Sequence, residues 1–256
     1  MLLLSTSSLK WYWIHRICNF VKKANYDWLD LFMDLNEYDL WDMDYLKEIK
    51  DSYWVNILSI TASWEWLNKA KVNAILDIAK VLWVQVVTFS PPHITDKDTT
   101  WFTKYLQEVK NDFDFNIAVQ NVESKYIFFI IPKYKNMPLI ETKKITWYAS
   151  LDIANIDNNS SIDIIKAINM LGSSLKNIYL SDKKADKYWL LPWKERSWIS
   201  NLPIESFLMQ LKSNSYNWFI TIKVDPTELW VWNEEMILKN LEKVKNYYTK
   251  YYLNFK

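Results

Sequence analysis

The sequence predicts a single (β/α)8 barrel, an α/β fold occupying residues 1–256 as one domain. Two observations carry that expectation. Strand-like and helix-like runs alternate from end to end, and eight such pairs over about 250 residues close a barrel of this kind. No Pro/Ser-rich linker divides the chain. On pattern alone, a doubly wound open sheet is the alternative.

The elements follow in order. LLLSTSSL (2–9) reads as the first strand, and 14–26 has helical periodicity. LDLFM (29–33) is the second strand, with a helix at 43–53, and NILSIT (56–61) is the third, with a strongly periodic helix at 67–82. VQVVTFS (84–90) is the fourth, with a helix at 99–112, and NIAVQNV (116–122) is the fifth. An irregular stretch follows, with an extended run at 126–131 and a short helix at 138–145. YASLDIANI (148–156) and its helix at 162–171 form the sixth pair. KNIYLSD (176–182) and a helix at 204–215 form the seventh; FITIKVD (219–225) and a closing helix at 233–252 form the eighth.

The chain holds one glycine and sixteen tryptophans. Ordinary usage is about 7% glycine, or roughly 18 in a chain of this length. The tryptophans stand where glycines belong. Trp28, Trp54, Trp83 and Trp218 fall between a helix-like run and the next strand-like run. The residue past a helix end commonly turns left-handed, which only glycine does without steric cost. Trp64, Trp66, Trp193, Trp198, Trp230 and Trp232 lie in loop-like stretches suited to small residues. Trp41 and Trp101, at helix starts, suit an aromatic. Glycine at the other fourteen would bring usage to about 6%, near the norm. This is the pattern left by UGA codons read as tryptophan where glycine is meant; a truly tryptophan-rich protein is the alternative. The many Lys, Asn, Ile and Tyr residues, with only two arginines, fit an AT-rich gene.

Bulk composition excludes several classes. The net charge is +1, so there is no basic footprint for nucleic acid. The basic segment KNLEKVKNYYTKYYLNFK has helical apolar spacing and reads as an amphipathic closing helix rather than a binding tail. Cys18 is alone, which excludes a disulfide framework and points to a reducing compartment. MLLLSTSSL lacks the charged start and apolar core of a secretory signal, and no apolar run is long enough to span a bilayer. The expectation is a soluble cytoplasmic protein with no membrane or nucleic-acid partner. Its oligomeric state is left open.

The string NIYLSDKKADKYWLLPWKERSWISNLPIESFLMQLKSNSYNWFITIKVDP, with tryptophan read as glycine, resembles the C-terminal part of the xylose isomerase-like TIM barrel superfamily. That superfamily includes sugar phosphate isomerases/epimerases and family 2 apurinic endonucleases. The shared pattern is a His-x-x-Asp strand, an LPG-x-G loop, an amphipathic helix, GY-x-G and a strand ending in Glu. NYDWLDLFMD, DLWDMDYLKEIKDSYWVNILSIT and SLDIAN are similar to earlier parts, so the resemblance covers nearly the whole chain. It implies a ligand site at the C-terminal ends of the strands. It also implies metal-dependent isomerisation or epimerisation of a small sugar or sugar phosphate. The cofactor would be a divalent Mn, Mg or Zn ion that polarises a carbonyl while carboxylates move the proton.

The family's metal is held by a Glu on strand five, an Asp and a His on strand six, a His on strand seven and a Glu on strand eight. Here Gln120-Asn121 replaces Glu-Asn, Asp152 is kept, Asn155 replaces His, Tyr179 replaces His with Asp182 kept, and Lys223 replaces Glu. A ring of three carboxylates becomes one carboxylate and one ammonium. The expectation is no metal cofactor. Strand alternation puts Thr221, Lys223 and Asp225 on one face. Lys223 should therefore enter the barrel mouth and pair with Asp152, because an unpaired charge there is costly. Three roles stay open for it: a structural ion pair, an anchor for a ligand phosphate or carboxylate, or a catalytic lysine.

Other candidates follow from position. His93, after strand four, is a candidate acid/base or a plain loop histidine, and Glu123 is a candidate displaced carboxylate. Asp30 on strand two is placed to touch a sugar hydroxyl or to close a polar layer. His15, in the first helix, reads as a surface or packing residue. In LLPWKERSW, Lys194 and Arg196 offer charge to an anion, or form a solvated loop. Two histidines cannot build the endonucleases' His-rich zinc site. Two functions remain: a divergent isomerase/epimerase-like protein acting on a small sugar-like ligand, or a non-catalytic barrel binding a small polar ligand or a protein partner.

Overall fold

The computed structural model describes residues 1–34, 37–63, 67–94, 100–123, 126–127, 130–134, 139–156, 163–184, 187–192 and 202–255. Its strands are β1 (Leu2–Ser5), β2 (Trp28–Met33), β3 (Ile57–Ala62), β4 (Val86–Phe89), β5 (Asn116–Gln120), β6 (Tyr126–Ile127), β7 (Ile131–Pro132), β8 (Tyr148–Asp152), β9 (Leu175–Leu180), β10 (Asp182–Lys184), β11 (Lys187–Leu190) and β12 (Phe219–Ile222). Eight of them close a parallel barrel in the order β1-β12-β9-β8-β5-β4-β3-β2. Closure selects the barrel over the open sheet.

The helices are α1 (Ile14–Lys23), α2 (Met43–Tyr53), α3 (Lys69–Leu82), α4 (Thr100–Val109), α5 (Leu139–Thr146), α6 (Ile164–Leu171), α7 (Ile204–Ser213), α8 (Pro226–Leu229) and α9 (Glu234–Tyr248). Asp42, Asn68, Asp163 and Asn233 cap α2, α3, α6 and α9 by accepting from backbone N–H groups of the first turn. No described helix is long and apolar enough to cross a membrane.

Strand alternation sorts the chemistry. Leu29 and Leu31, Val87 and Phe89, Leu151, and Ile220 and Ile222 belong to one large buried cluster shared with the helices. The opposite faces carry Asp30, Ser59, Thr61, Thr88, Ser150, Asn177, Tyr179 and Thr221, every one fully buried. A smaller apolar cluster of Leu3, Val86, Ala118 and Phe219 sits at the strand starts. The lumen is therefore closed by hydrocarbon at one end and filled with hydroxyls and amides toward the other. Those groups bond one another across strands. Thr88 and Ser150 hydroxyls lie 2.7 Å apart, Asn177 Nδ2 donates to Ser59 at 3.1 Å, and Thr221 Oγ1 donates to Asn177 Oδ1 at 2.8 Å.

Several boundaries differ from the sequence reading. The first strand stops at Ser5 and Thr6–Leu9 form a 3-10 turn. Hydroxyls cause this: Thr6 Oγ1 accepts from Phe32 N, and Ser8 Oγ from Val224 N, so these side chains cap neighbouring strands. The sixth and eighth barrel strands are also shorter, ending at Asp152 and Ile222. Asp225 caps α8, with Pro226 at its first position. From the extended run at 126–131, β6 pairs antiparallel with β7, and β10 pairs antiparallel with β11, a pairing the sequence did not suggest.

Seven non-glycine residues among those described have positive φ, and five are tryptophans: Trp54, Trp83, Trp147, Trp189 and Trp230. Trp54, Trp83 and Trp230 cap their helices in the left-handed region, as glycine does. Trp28 and Trp218 do not. The left-handed residues in those two turns are Asn25 and Ser215, so these two tryptophans simply lead into β2 and β12. Trp64, Trp66, Trp193 and Trp198 lie outside the described residues. Trp41 donates its indole N–H to Asp34 O at 3.0 Å, and Trp101 packs on the core.

A left-handed backbone costs an L-residue about 1–2 kcal/mol, and the Trp54 and Trp83 rings are exposed, with little packing to lose. Trp54→Gly and Trp83→Gly should each raise stability by about 1 kcal/mol in chemical denaturation. Trp41→Gly should lower it, through the lost hydrogen bond and contacts.

Candidate functional site at the barrel mouth

Lys223 leaves β12 on the inner face, and its backbone N–H still reaches Leu180 O on β9 at 3.4 Å. Its Nζ lies 3.0 Å from Asp152 Oδ2, with the Asp152 side chain wholly buried and that of Lys223 12% exposed. The same ammonium is 5.0 Å from the Tyr179 ring centroid and 5.3 Å from that of Trp189. Asp152 is held from every side. Oδ2 also accepts from Trp189 Nε1 at 3.1 Å, and Oδ1 accepts from Ala154 N at 3.2 Å. Asn121 clamps its backbone, donating from Nδ2 to Asp152 O at 2.9 Å and accepting from Asp152 N at 2.7 Å. A buried ion pair needs this completeness, because desolvation offsets most of its Coulomb attraction.

Above the pair opens a cavity of about 300 Å³. Four residues singled out from the sequence line it: Gln120, Glu123, Asn155 and Lys223. Lys10, Ser90, Tyr134 and Trp189 join them, none of which the sequence reading had placed there. Lys10 and Ser90 were within reach of that reading, since each lies at or just beyond a strand's C-terminal end. Nothing in the spacing of residues pointed to Trp189.

The other described candidates make contacts within the frame. Asp30 is fully buried and accepts from Thr61 Oγ1 at 2.8 Å. Thr61 spends its one proton there, so the Tyr179 hydroxyl, 2.6 Å away, is the donor to Thr61. Burial raises the Asp30 pKa above the usual carboxylate range, against the opposing pull of the Ser59, Thr61 and Ser5 hydroxyls and the Lys223 charge. Burial likewise holds the Tyr179 phenol well above its usual value, so it stays protonated. Asp182 Oδ1 accepts from Lys183 N at 2.8 Å and from Leu202 N at 3.1 Å, which fixes the start of β10 and the approach to α7. His93 forms a β-bridge with Tyr134, the two rings meeting edge to face at 4.7 Å. Lys194 and Arg196 lie outside the described residues.

No family model and no curated protein sequence matches this chain. Solved structures do. A D-tagatose 3-epimerase-like protein superposes with TM-score 0.66 at 15% identity, covering 96% of this chain and 98% of its own. A zinc-bound IolI protein gives 0.66 at 14%, covering 98% and 99%. A xylose isomerase domain protein from Planctomyces limnophilus gives 0.62 at 11%, covering 91% and 92%. The chain has the xylose isomerase-like TIM barrel fold. In this fold the strand C-terminal ends carry the chemistry, and here that end is occupied by the Asp152–Lys223 pair.

Lys223→Met strands a buried carboxylate and should cost about 3–5 kcal/mol of stability, whereas adding Asp152→Asn to it should restore most of the loss. For Asp30, the folded state binds its proton more tightly than the unfolded chain. Its contribution therefore favours folding below the ordinary carboxylate pKa and weakens as pH rises from there through the raised value. Asp30→Asn should flatten that slope in pH-dependent unfolding curves.

Proposed function

We propose that the barrel mouth binds a small sugar-like ligand without a divalent metal, in the manner of an isomerase/epimerase-like protein whose metal position is taken by Lys223. The observation that carries this reading is the 3.0 Å contact of Lys223 Nζ with Asp152, at the place where the fold's relatives are expected to hold a dication. The donor set does not suit a metal. Gln120, Asn155 and Tyr179 are neutral, an ammonium sits against the remaining carboxylate, and no cluster of three His, Cys, Asp or Glu occurs among the described residues.

In this reading the Lys223 ammonium donates to a ligand oxygen and stabilises negative charge there, while Asp152 keeps it aimed. Glu123, on the wall of the same cavity as Asp34 and Asp225, is the carboxylate this reading assigns to proton exchange with the ligand. The self-neutralised Asp152–Lys223 pair also supports a second reading, a barrel that binds such a ligand without turning it over. The lone buried thiol of Cys18 supports a reducing, cytoplasmic setting.

We also propose that glycine stands in the natural protein at most of the tryptophan positions other than Trp41 and Trp101. The five left-handed tryptophans support this. The codons, or the intact mass of the natural protein, test it directly. At position 189 the change would remove the indole from Asp152 and Lys223 and widen the mouth.

The purified protein should carry no stoichiometric Mn or Zn by elemental analysis; a full equivalent of either overturns the metal-free reading. Sugars or sugar phosphates should raise its melting temperature. Solvent-deuterium incorporation at the carbon beside a ligand carbonyl should mark the catalytic form and be lost in Lys223→Gln; no incorporation with retained binding favours the binding-only form.

A further inference from the structure

We propose that Gln120 and Asn155 form a subsite for neighbouring hydroxyl groups, so that the ligand presents an uncharged polyol face to this wall of the mouth. The proposal rests on the mouth being a ligand site and adds which part of the ligand goes where.

Both residues line the cavity, and both are more than nine-tenths buried, with 6% and 8% exposure. Gln120 Oε1 and Asn155 Oδ1 have no hydrogen-bond partner among the described residues. Their amide nitrogens are already engaged. Gln120 Nε2 donates to Ser90 Oγ at 2.5 Å, and Asn155 Nδ2 donates to Asn121 O at 3.4 Å. The second contact fixes the orientation chemically: a backbone carbonyl only accepts, so the nitrogen of Asn155 must face it and the oxygen must face away. A buried acceptor left unmade is costly, and two lining one cavity identify what is missing from it.

The missing partner brings donors. Phosphate and carboxylate oxygens are acceptors at neutral pH and cannot satisfy an amide oxygen. Hydroxyls can, and each keeps its own lone pairs for Lys223. The two acceptors come from adjacent barrel strands, Gln120 ending β5 and Asn155 in the 3-10 turn after β8, and the Asn121–Asp152 clamp joins those strands at that level. Adjacent strands lie about 4.8 Å apart, a span that two hydroxyls on neighbouring ring carbons can bridge. Phe32, Val122, Val224 and Pro226 supply apolar wall for the C–H face of a ring. An anionic group, where a ligand has one, belongs beside Lys10 or Lys223 instead.

Isothermal calorimetry of the full chain with inositols, pentoses and hexoses, and with their phosphates, tests this. At least one uncharged polyol should bind, and Gln120→Met and Asn155→Leu should each weaken it by about tenfold or more. The ligand-free variants supply the second readout. Each removes an orphan acceptor together with one donated hydrogen bond, so the two effects offset and the melting temperature should change little, whereas loss of a merely structural amide would lower it clearly. Binding unchanged in both variants but lost in Lys223→Gln overturns the subsite and leaves the mouth as a ligand site. Binding of phosphates alone also overturns the subsite. If no member of either series binds, the mouth reading fails with it.

Discussion

One buried charge pair organises the top of this barrel. Asp152 is completely enclosed, and Lys223, Ala154, Trp189 and the Asn121 clamp supply the partners its side chain and backbone need there. The cost of breaking such an arrangement is large even though its net gain over apolar residues is small. That asymmetry couples three strands: β8 supplies the carboxylate, β12 positions the lysine, and β5 leads into the amide that fixes the backbone between them. The mouth inherits its shape from that coupling.

Beneath the pair, the lumen departs from the usual barrel filling of branched apolar side chains. Ser59, Thr61, Thr88, Ser150, Asn177 and Thr221 pack it with short polar groups that satisfy one another. Such a network is stable only when nearly complete. In that layer Asp30 Oδ2 is left without a partner among the described residues, and on the wall above so are the amide oxygens of Gln120 and Asn155. Of these, the two amide oxygens are the ones whose residues line the cavity.

Much of this was legible in the sequence. Alternation in FITIKVD placed Lys223 inward, and charge balance paired it with Asp152, because both arguments need only local spacing and the cost of burying an unpaired charge. The eight-strand count was legible for the same reason. What escaped were partnerships set by the third dimension. Asn121, known from the sequence only as the neighbour of Gln120, is a backbone clamp across 31 positions. Asp182 looked like a retained site acid and organises a turn. Trp28 and Trp218 looked like helix-end residues, yet Asn25 and Ser215 absorb the left-handed turn, since both lie nearer the helix ends. The β10–β11 pairing was hidden because DKKADKYWL has no clean alternation.

The tryptophans of the turns also have a colloidal consequence. Trp54, Trp83 and Trp147 occupy connections that run from helix to strand, so all three emerge at the end of the barrel opposite the mouth, with 84%, 79% and 67% of their surface exposed. Broad apolar rings exposed at one pole favour association there, since exposed apolar surface drives it. Such association would say nothing about the ligand site, and its tendency is set by what stands at three turn positions.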